Sequence, residues 1–278
     1  MLTDYHTHLR PDEREATAKR HFTEDNVKLY LRAAADVGVG ELGFSEHVHR
    51  FGQALDVWDH PFWKEQAVDD LDAYVEFVQG MKAAGHAVKL GLEVDYVSGK
   101  EEQIADLLAD RPWDYVIGSV HFIGDRAVDH SEYGTWSVSD ADQVWSEYFR
   151  SLGAAAASGL YDILAHPDLV KVWGSSRPKP DRDPRFFYEL AIESIAGSNV
   201  AVEVSTAGLR KPIEEIYPTR ELLDMLLEAG RPVALSSDAH LPEQIGFGYD
   251  RAVEYLREAG VGEICVFEER RRTMEPLG

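Results

Sequence analysis

Two histidines near the start of the sequence, His6 and His8, are separated by one residue in the segment DYHTH. On an extended strand, side chains two positions apart lie on the same side, so both imidazoles can reach one metal ion. Neutral imidazole and carboxylate groups bind borderline divalent metals such as Zn, Mn and Fe(II). A His-x-His pair alone is a weak motif, since a single strand-end histidine is more often a hydrogen-bonded structural residue.

The same residue types recur directly after other apolar runs. Six predicted strands end in a histidine or a carboxylate: His6 and His8, Glu46 and His47, Glu93, His121, His166, and Asp238 with His240. In a parallel barrel the carboxyl ends of all strands meet at one face, which holds the catalytic site. The sequence therefore predicts a metal site at that face. A carboxylate such as Glu93 can bridge two ions, and a bridged pair activates water for phosphoryl transfer.

Short apolar runs alternate with stretches whose apolar residues lie three and four positions apart. The predicted strands are residues 2–6, 41–45, 87–93, 115–120, 162–165, 200–204, 232–236 and 263–267. This alternation implies parallel strands with right-handed crossovers, and therefore a closed barrel or a doubly wound sheet. A chain of 278 residues fits one barrel. We predict a single domain, 1–278, with loop insertions near 51–66 and 172–184.

The composition narrows the class of partner. The chain has 28 Lys+Arg against 50 Asp+Glu, a formal net charge of −22. This charge disfavours binding to nucleic-acid phosphate backbones and to anionic lipid surfaces. Its one cysteine, Cys265, excludes a disulfide framework within the chain and is interpreted as a buried small apolar residue. With no signal peptide or membrane span evident, we expect a soluble, cytoplasmic protein that binds neither nucleic acid nor membrane. The oligomeric state is not predicted.

Several segments together resemble the PHP (polymerase and histidinol phosphatase) superfamily, and within it the monofunctional histidinol-phosphate phosphatases. The resemblance covers roughly residues 1–255, and its most specific segments are GSVHF and STAGLRKP. The others are HTH, EH after the second strand, GLEVD, AHPD and SSDAH. It implies a distorted (β/α)7 TIM-like barrel that holds two or three divalent transition-metal ions (Zn, Mn or Fe).

The resemblance also implies roles for individual residues. A first ion is held by His6, His8, Glu93 and Asp238; a second by Glu93, His121 and His166; a third by His47, His240 and one ligand from the loop after the first strand. Arg210 in STAGLRKP matches a position suited to grip phosphate, because a guanidinium group pairs with two phosphate oxygens. Arg10 and Arg50, beside ligand motifs, are further candidates for phosphate binding.

The loop after the first strand departs from the family pattern. Arg14 stands where the family usually has a histidine, and a guanidinium group offers no lone pair to a metal. His21, Glu13 and Asp12 are the nearby groups that could replace it. His21 can equally be a residue without a ligand role that precedes the helix opening at Thr23.

The reaction implied is hydrolysis of L-histidinol phosphate to L-histidinol and phosphate in histidine biosynthesis, by attack of a metal-bridged hydroxide. The proposed catalytic residues are Glu93, Asp238, His240 and Arg210; Asp238, His240 or the third ion would assist the departing alkoxide. One alternative is another PHP-type phosphoesterase, such as a phosphotyrosine or nucleotide phosphatase. The other is a non-catalytic metal-binding protein with saturated coordination.

Overall fold

Seven parallel strands form the barrel, which confirms the predicted fold class. The computed structural model describes residues 1–13 and 15–278. In these ranges the strands are β1 Leu2–Asp4, β2 Val39–Phe44, β3 Val88–Asp95, β4 Tyr115–Ser119, β5 Phe122–Ile123, β6 Arg126–Ala127, β7 Ile163–Leu164, β8 Ala201–Ser205, β9 Val233–Ser236, β10 Glu263–Glu268 and β11 Arg271–Pro276. The sheet order β1-β2-β3-β4-β7-β8-β9 is all parallel, and β5 pairs only with β6.

Helices connect successive barrel strands, as right-handed crossovers require. They are α1 Ala18–His21, α2 Glu24–Asp36, α3 Pro61–Gln66, α4 Leu71–Ala83, α5 Glu101–Leu108, α6 Ala141–Ala157, α7 Pro184–Ala196, α8 Arg220–Glu228 and α9 Tyr249–Glu258. Helix α2 illustrates how the sequence starts a helix: the Thr23 side chain accepts a hydrogen bond from Asn26 N at 3.3 Å and caps the helix. Val27, Tyr30 and Ala34 then form its buried stripe. None of the helices within the described ranges has the length and apolar composition needed to span a bilayer.

The barrel closes between its first and last strands at the carboxyl ends. Thr7 and Ala239 form a parallel bridge beyond β1 and β9. The His8 N–H donates to the Ala239 carbonyl at 2.8 Å, and the Ala239 N–H donates to the His6 carbonyl at 3.1 Å. Below this bridge the buried Asp4 carboxylate accepts the Ser237 N–H at 2.9 Å. Closure therefore depends on the segments that carry the predicted ligands.

The eighth predicted strand, residues 263–267, forms outside the barrel sheet. It is β10, which pairs antiparallel with β11, a strand that the sequence analysis missed. Cys265 and Phe267 of β10 pack against Tyr5 and Tyr115, and Cys265 is buried as predicted. Arg270 N donates to the Asp114 carbonyl, just before β4, at 2.9 Å. The hairpin thus covers the amino-terminal end of the barrel, opposite the predicted site.

The hairpin contacts bear on domain organisation. Arg270 Nε donates to Asp162 Oδ2 at 2.8 Å, just before β7, and an Arg272 guanidinium nitrogen donates to the Asn199 carbonyl at 2.6 Å, just before β8. We propose on this basis that residues 1–278 form one domain. In the predicted insertions, residues 51–66 contain α3 and the 3₁₀ helix Gly52–Asp56, and residues 172–184 contain the 3₁₀ helix Gly174–Ser176.

Tyr115 fills part of the barrel interior, where its ring lies against one glycine of β2 and one of β3. A Cβ atom added to Gly91 would lie 2.3 Å from the Tyr115 ring, and one added to Gly43 would lie 2.2 Å from its hydroxyl oxygen. The Tyr115 hydroxyl donates to the Tyr5 carbonyl at 2.6 Å, and the side chain is fully buried, so the ring is held in place. There is therefore no space for a side chain at position 43 or position 91.

Gly91→Ala should lower the free energy of unfolding by about 1–3 kcal/mol or more, because the new methyl group overlaps a fixed, fully buried ring. Gly80→Ala is the matched control: it lies inside α4 with nothing within 4 Å of the added Cβ. That change should raise stability by about 0.5–1 kcal/mol through the helix preference of alanine. Chemical denaturation of both variants measures this, and an equal effect of the two changes would contradict the packing argument.

Candidate metal centre

The predicted ligands converge because they lie at or near the carboxyl ends of six of the barrel strands. His6 and His8 follow β1, His47 follows β2, and Glu93 lies within β3. His121 and His166 follow β4 and β7, while Asp238 and His240 follow β9. The rings of His6 and His8 are fully buried and their centroids are 5.1 Å apart, as the alternation of side chains along an extended segment requires.

The Glu93 carboxylate lies at the centre of the cluster. Its Oε1 is 3.4 Å from Nε2 of both His121 and His166. Its Oε2 is 3.3 Å from His6 Nε2 and 3.7 Å from His8 Nε2, and it also contacts His47 Nδ1. The two oxygens therefore face two different groups of imidazoles, which is the arrangement that a bridging carboxylate needs.

Three groups of side chains have ligand atoms within 4.8 Å of one another. They are His6, His8 and Asp238; His6, Glu93 and His166; and His8, His47 and His240. His6 and His8 are each shared between two groups, so the three form one continuous cluster. The structure thus has candidate sites for more than one metal ion.

The buried ligand atoms that lack a hydrogen-bond partner indicate whether metal ions fit the cluster. His6 Nε2, His8 Nε2, both Glu93 oxygens and Asp238 Oδ1 are buried and have no hydrogen-bond partner among the described residues. Buried polar atoms are nearly always paired, because leaving one unpaired costs about 1–3 kcal/mol. Five such atoms in one cluster, all of types that donate a lone pair to borderline divalent metals, fit bound cations well.

Carboxylates behind the cluster orient two of the imidazoles, and the sequence analysis missed both. Glu203 Oε1 lies 2.8 Å from His6 Nδ1, and Asp95 Oδ1 lies 2.7 Å from His121 Nδ1. Such partners fix which ring nitrogen faces the metal and raise its basicity. A signal was available for Asp95, because it lies two residues after Glu93 on β3 and so shares its side of the strand.

The charges in the cluster compensate one another. Burial alone would raise the pKa of Glu93, but the imidazoles of His47, His6 and His121 hold it well below its usual range. Burial would lower the pKa of His121, but Asp95 and Glu93 raise it to about 10. Burial lowers the pKa of His47 to about 3 despite the opposing effect of Glu93. Glu93 is ionised, as a bridging ligand must be.

Among the candidates for the missing third-site ligand, the structure brings Asp12 to the site. Asp12 Oδ2 lies 3.1 Å from His240 Nε2, and its Oδ1 lies 3.9 Å from His47 Nε2. Those two ring nitrogens are 3.2 Å apart. Within the described part of the chain, none of Asp12, Glu13 and His21 belongs to the three groups above, but of these three only Asp12 lies within 4 Å of both His47 and His240. Arg14 lies outside the described residues.

The three arginines proposed for phosphate binding are placed differently. One terminal nitrogen of Arg210 donates to the carbonyls of Ser237 at 2.8 Å and Asp238 at 2.9 Å, which fixes the guanidinium beside the cluster. Its other terminal nitrogen is buried and, among the described residues, has no partner. Arg10 pairs with Asp69 at 2.7 Å and Arg50 with Asp12 at 2.5 Å. Those contacts favour a positioning role for Arg10 and Arg50; their role in phosphate binding stays a prediction.

A cavity of about 300 Å³ opens over the candidate ligands His47 and His121. Part of its wall is aromatic, with Phe62 and Phe122 in contact at a centroid distance of 5.7 Å. Asp12 lines it too, together with three residues that the sequence analysis did not assign to the site: Asp129, His130 and Lys211. Their positions on loops carry no periodic pattern from which a role could be predicted.

Comparisons with known proteins identify the family of the chain. The PHP domain family model matches residues 20–207. A Deinococcus radiodurans protein named probable histidinol-phosphatase is 35% identical over 252 residues, which cover 89% of this chain and 91% of the relative. The histidinol-phosphatase of Bacillus subtilis is 25% identical over 257 residues, covering 84% of this chain and 94% of the relative.

A solved structure shares the fold. It is the crystal structure of histidinol phosphate phosphatase from Lactococcus lactis complexed with zinc, L-histidinol and phosphate, with a TM-score of 0.76 and 21% sequence identity. The match covers 98% of each chain. With the family match over most of the barrel and the relative at 35% identity, the chain belongs to the PHP domain family.

Proposed function

We propose that this protein hydrolyses L-histidinol phosphate to L-histidinol and inorganic phosphate, as a metal-dependent phosphomonoesterase of histidine biosynthesis. The observation that carries the proposal is the buried Glu93 carboxylate, whose two oxygens face two separate groups of imidazoles with unpaired donor atoms. The substrate is supported by the names of the relatives, which are histidinol-phosphatases. Such an enzyme would work in the cytoplasm, on a small molecule and without a nucleic-acid partner.

The ligand atoms favour the following assignment of ions. His6, His8, Asp238 and Glu93 Oε2 would hold the first, and His121, His166 and Glu93 Oε1 the second. His47, His240 and Asp12 would hold a third. Imidazole and carboxylate ligands suit zinc, manganese or iron. Zinc is favoured by its presence in the Lactococcus lactis structure.

Bound divalent ions would supply an activated water and neutralise charge on the phosphoryl oxygens. The chain's own residues supply orientation and protons. Arg210 is anchored on the carbonyls of Ser237 and Asp238, and its second nitrogen is left to pair with a phosphate oxygen. The departing alkoxide needs a proton, for which Asp238 and His240 are the candidates, their side chains being 3.6 Å apart.

The bridging role of Glu93 is the first test. Purified wild-type protein should carry at least two transition-metal ions per chain. Glu93→Gln should bind fewer ions and release phosphate at least roughly 10³-fold more slowly, because one amide cannot replace a carboxylate between two ions. Elemental analysis and phosphate release measure the two effects. Glu102→Gln, on the exposed face of α5, is the control and should behave as wild type. Near-normal turnover of Glu93→Gln would contradict the assignment.

The third site is tested by metal titration of Asp12→Asn, Glu13→Gln and His21→Ala. Asp12→Asn should weaken binding of the third ion by about 10- to 100-fold, because it removes the carboxylate that lies against His240. The other two variants should keep the wild-type metal count, which makes them matched controls on the same loop. Loss of the third ion in His21→Ala alone would show that histidine ligation holds instead.

Substrate choice is tested by comparing kcat/KM for histidinol phosphate, phosphotyrosine and a nucleoside bisphosphate. Histidinol phosphate should be preferred. Arg210→Ala should lower kcat/KM for all three by a similar factor of about 10–100, because the guanidinium contacts the phosphate they share. The exposed Arg251→Ala serves as the control. A preference for phosphotyrosine or the nucleotide would overturn the substrate assignment and leave the metal centre intact.

A further inference from the structure

The cavity over the metal centre contains one carboxylate that the proposed chemistry does not use. The two carboxylates that line it are Asp12 and Asp129. Asp12 is engaged with Arg50 at 2.5 Å and with His240 at 3.1 Å. Asp129, by contrast, forms no hydrogen bond or ion pair through its side chain with any of residues 1–13 and 15–278. It is a half-buried negative charge without a partner.

The backbone fixes Asp129 beside the metal centre. The N–H of Val128 donates to the carbonyl of His121 at 2.8 Å, so the chain after β6 runs next to a candidate ligand of the second ion. The Val128 carbonyl accepts two indole N–H groups, from Trp136 at 2.8 Å and Trp173 at 2.7 Å. These bonds hold the residue preceding Asp129 from both sides, so the position of the carboxylate is built into the fold.

An unpaired carboxylate beside a phosphate-binding metal centre is not explained by phosphate binding. It repels the phosphate group, in a chain whose formal net charge is −22. Such a group does fit a substrate that carries a positive charge close to its phosphate. A charge-assisted hydrogen bond to an ammonium group is strong in a partly desolvated cavity.

We propose that Asp129 binds the ammonium group of the substrate and thereby selects phosphate esters of amino alcohols; this inference rests on the proposed function. In histidinol phosphate the ammonium-bearing carbon is separated from the ester oxygen by one methylene group. A phosphate at the metal centre therefore leaves the ammonium group within the cavity that His121 and Asp129 both line. Lys211, on the cavity wall, is a cation available to the phosphate end of the same molecule.

The aromatic wall completes the fit. Phe62 packs against Phe122 with a centroid distance of 5.7 Å and against His130 with one of 5.2 Å. These rings are too close together for a ligand ring to insert between them, so they form a continuous surface. The imidazole ring of the substrate lies against this surface when the phosphate and ammonium groups are held at the metal centre and at Asp129.

The test compares two substrates on three proteins: wild type, Asp129→Asn and Asp125→Asn. The substrates are histidinol phosphate and its deamino analogue, 3-(imidazol-4-yl)propyl phosphate. Asp129→Asn should lower kcat/KM for histidinol phosphate by about 10- to 100-fold, mainly through KM, and change the value for the analogue less than about threefold. Asp125→Asn, whose side chain is 83% exposed in the β5–β6 turn four residues before Asp129, should change neither.

Two readouts separate recognition from an indirect effect on the metals. Asp129→Asn should keep the wild-type metal content, and L-histidinol should bind it about 10- to 100-fold more weakly by calorimetry, while inorganic phosphate binds as in wild type. Equal losses with both substrates, or loss of metal, would show that Asp129 acts through His121 and would overturn the inference. If wild type instead prefers the analogue or an unrelated phosphomonoester, the proposed function fails. That failure is seen in the unmutated protein, whereas failure of the Asp129 inference is seen only in Asp129→Asn.

Discussion

The buried carboxylate of Glu93 is the constraint around which the barrel face is built. A carboxylate charge without compensation is very costly in a protein interior, and Glu93 is only 1% exposed. Five imidazoles, which follow four different strands, surround it and stabilise its charge. A parallel barrel meets this demand because its strands bring side chains from distant parts of the sequence to a common centre.

Barrel closure and site assembly are the same structural event. The bridge between Thr7 and Ala239 joins the two ends of the sheet, and each of these residues is flanked by candidate ligands on both sides. Because neighbouring side chains on an extended segment point to opposite faces, His6 and His8 share one face. A change in register at this seam would turn His6 and His8 away from Glu93, so metal binding and closure should be thermodynamically coupled.

Periodicity and residue type were enough to predict the seven barrel strands and the cluster of histidines and carboxylates at their carboxyl ends, since both depend on local patterns. They also predicted β10 as a strand but not its place outside the barrel, because a short apolar run looks the same in a barrel strand and in a covering hairpin. They also failed for the supporting carboxylate Glu203, whose place behind His6 depends on the order of distant strands in the sheet. For the loop after β1 the pattern offered three candidates, and only the tertiary structure distinguishes Asp12.

The position of Asp12 has a physical cause, which argues for a built third site. Its side chain is 63% exposed, so packing alone does not fix it. Arg50 fixes the Asp12 side chain, because its buried guanidinium donates to Asp12 Oδ1 at 2.5 Å and to the Arg10 carbonyl at 2.6 Å. Arg50 is held in turn by Glu46, whose Oε1 accepts the Leu9 N–H at 2.6 Å. The loop after β1 is thus clamped to the turn after β2, which also carries His47. The clamp brings a carboxylate to two imidazoles whose ring nitrogens are 3.2 Å apart, and a third cation held by Asp12, His47 and His240 would account for that approach.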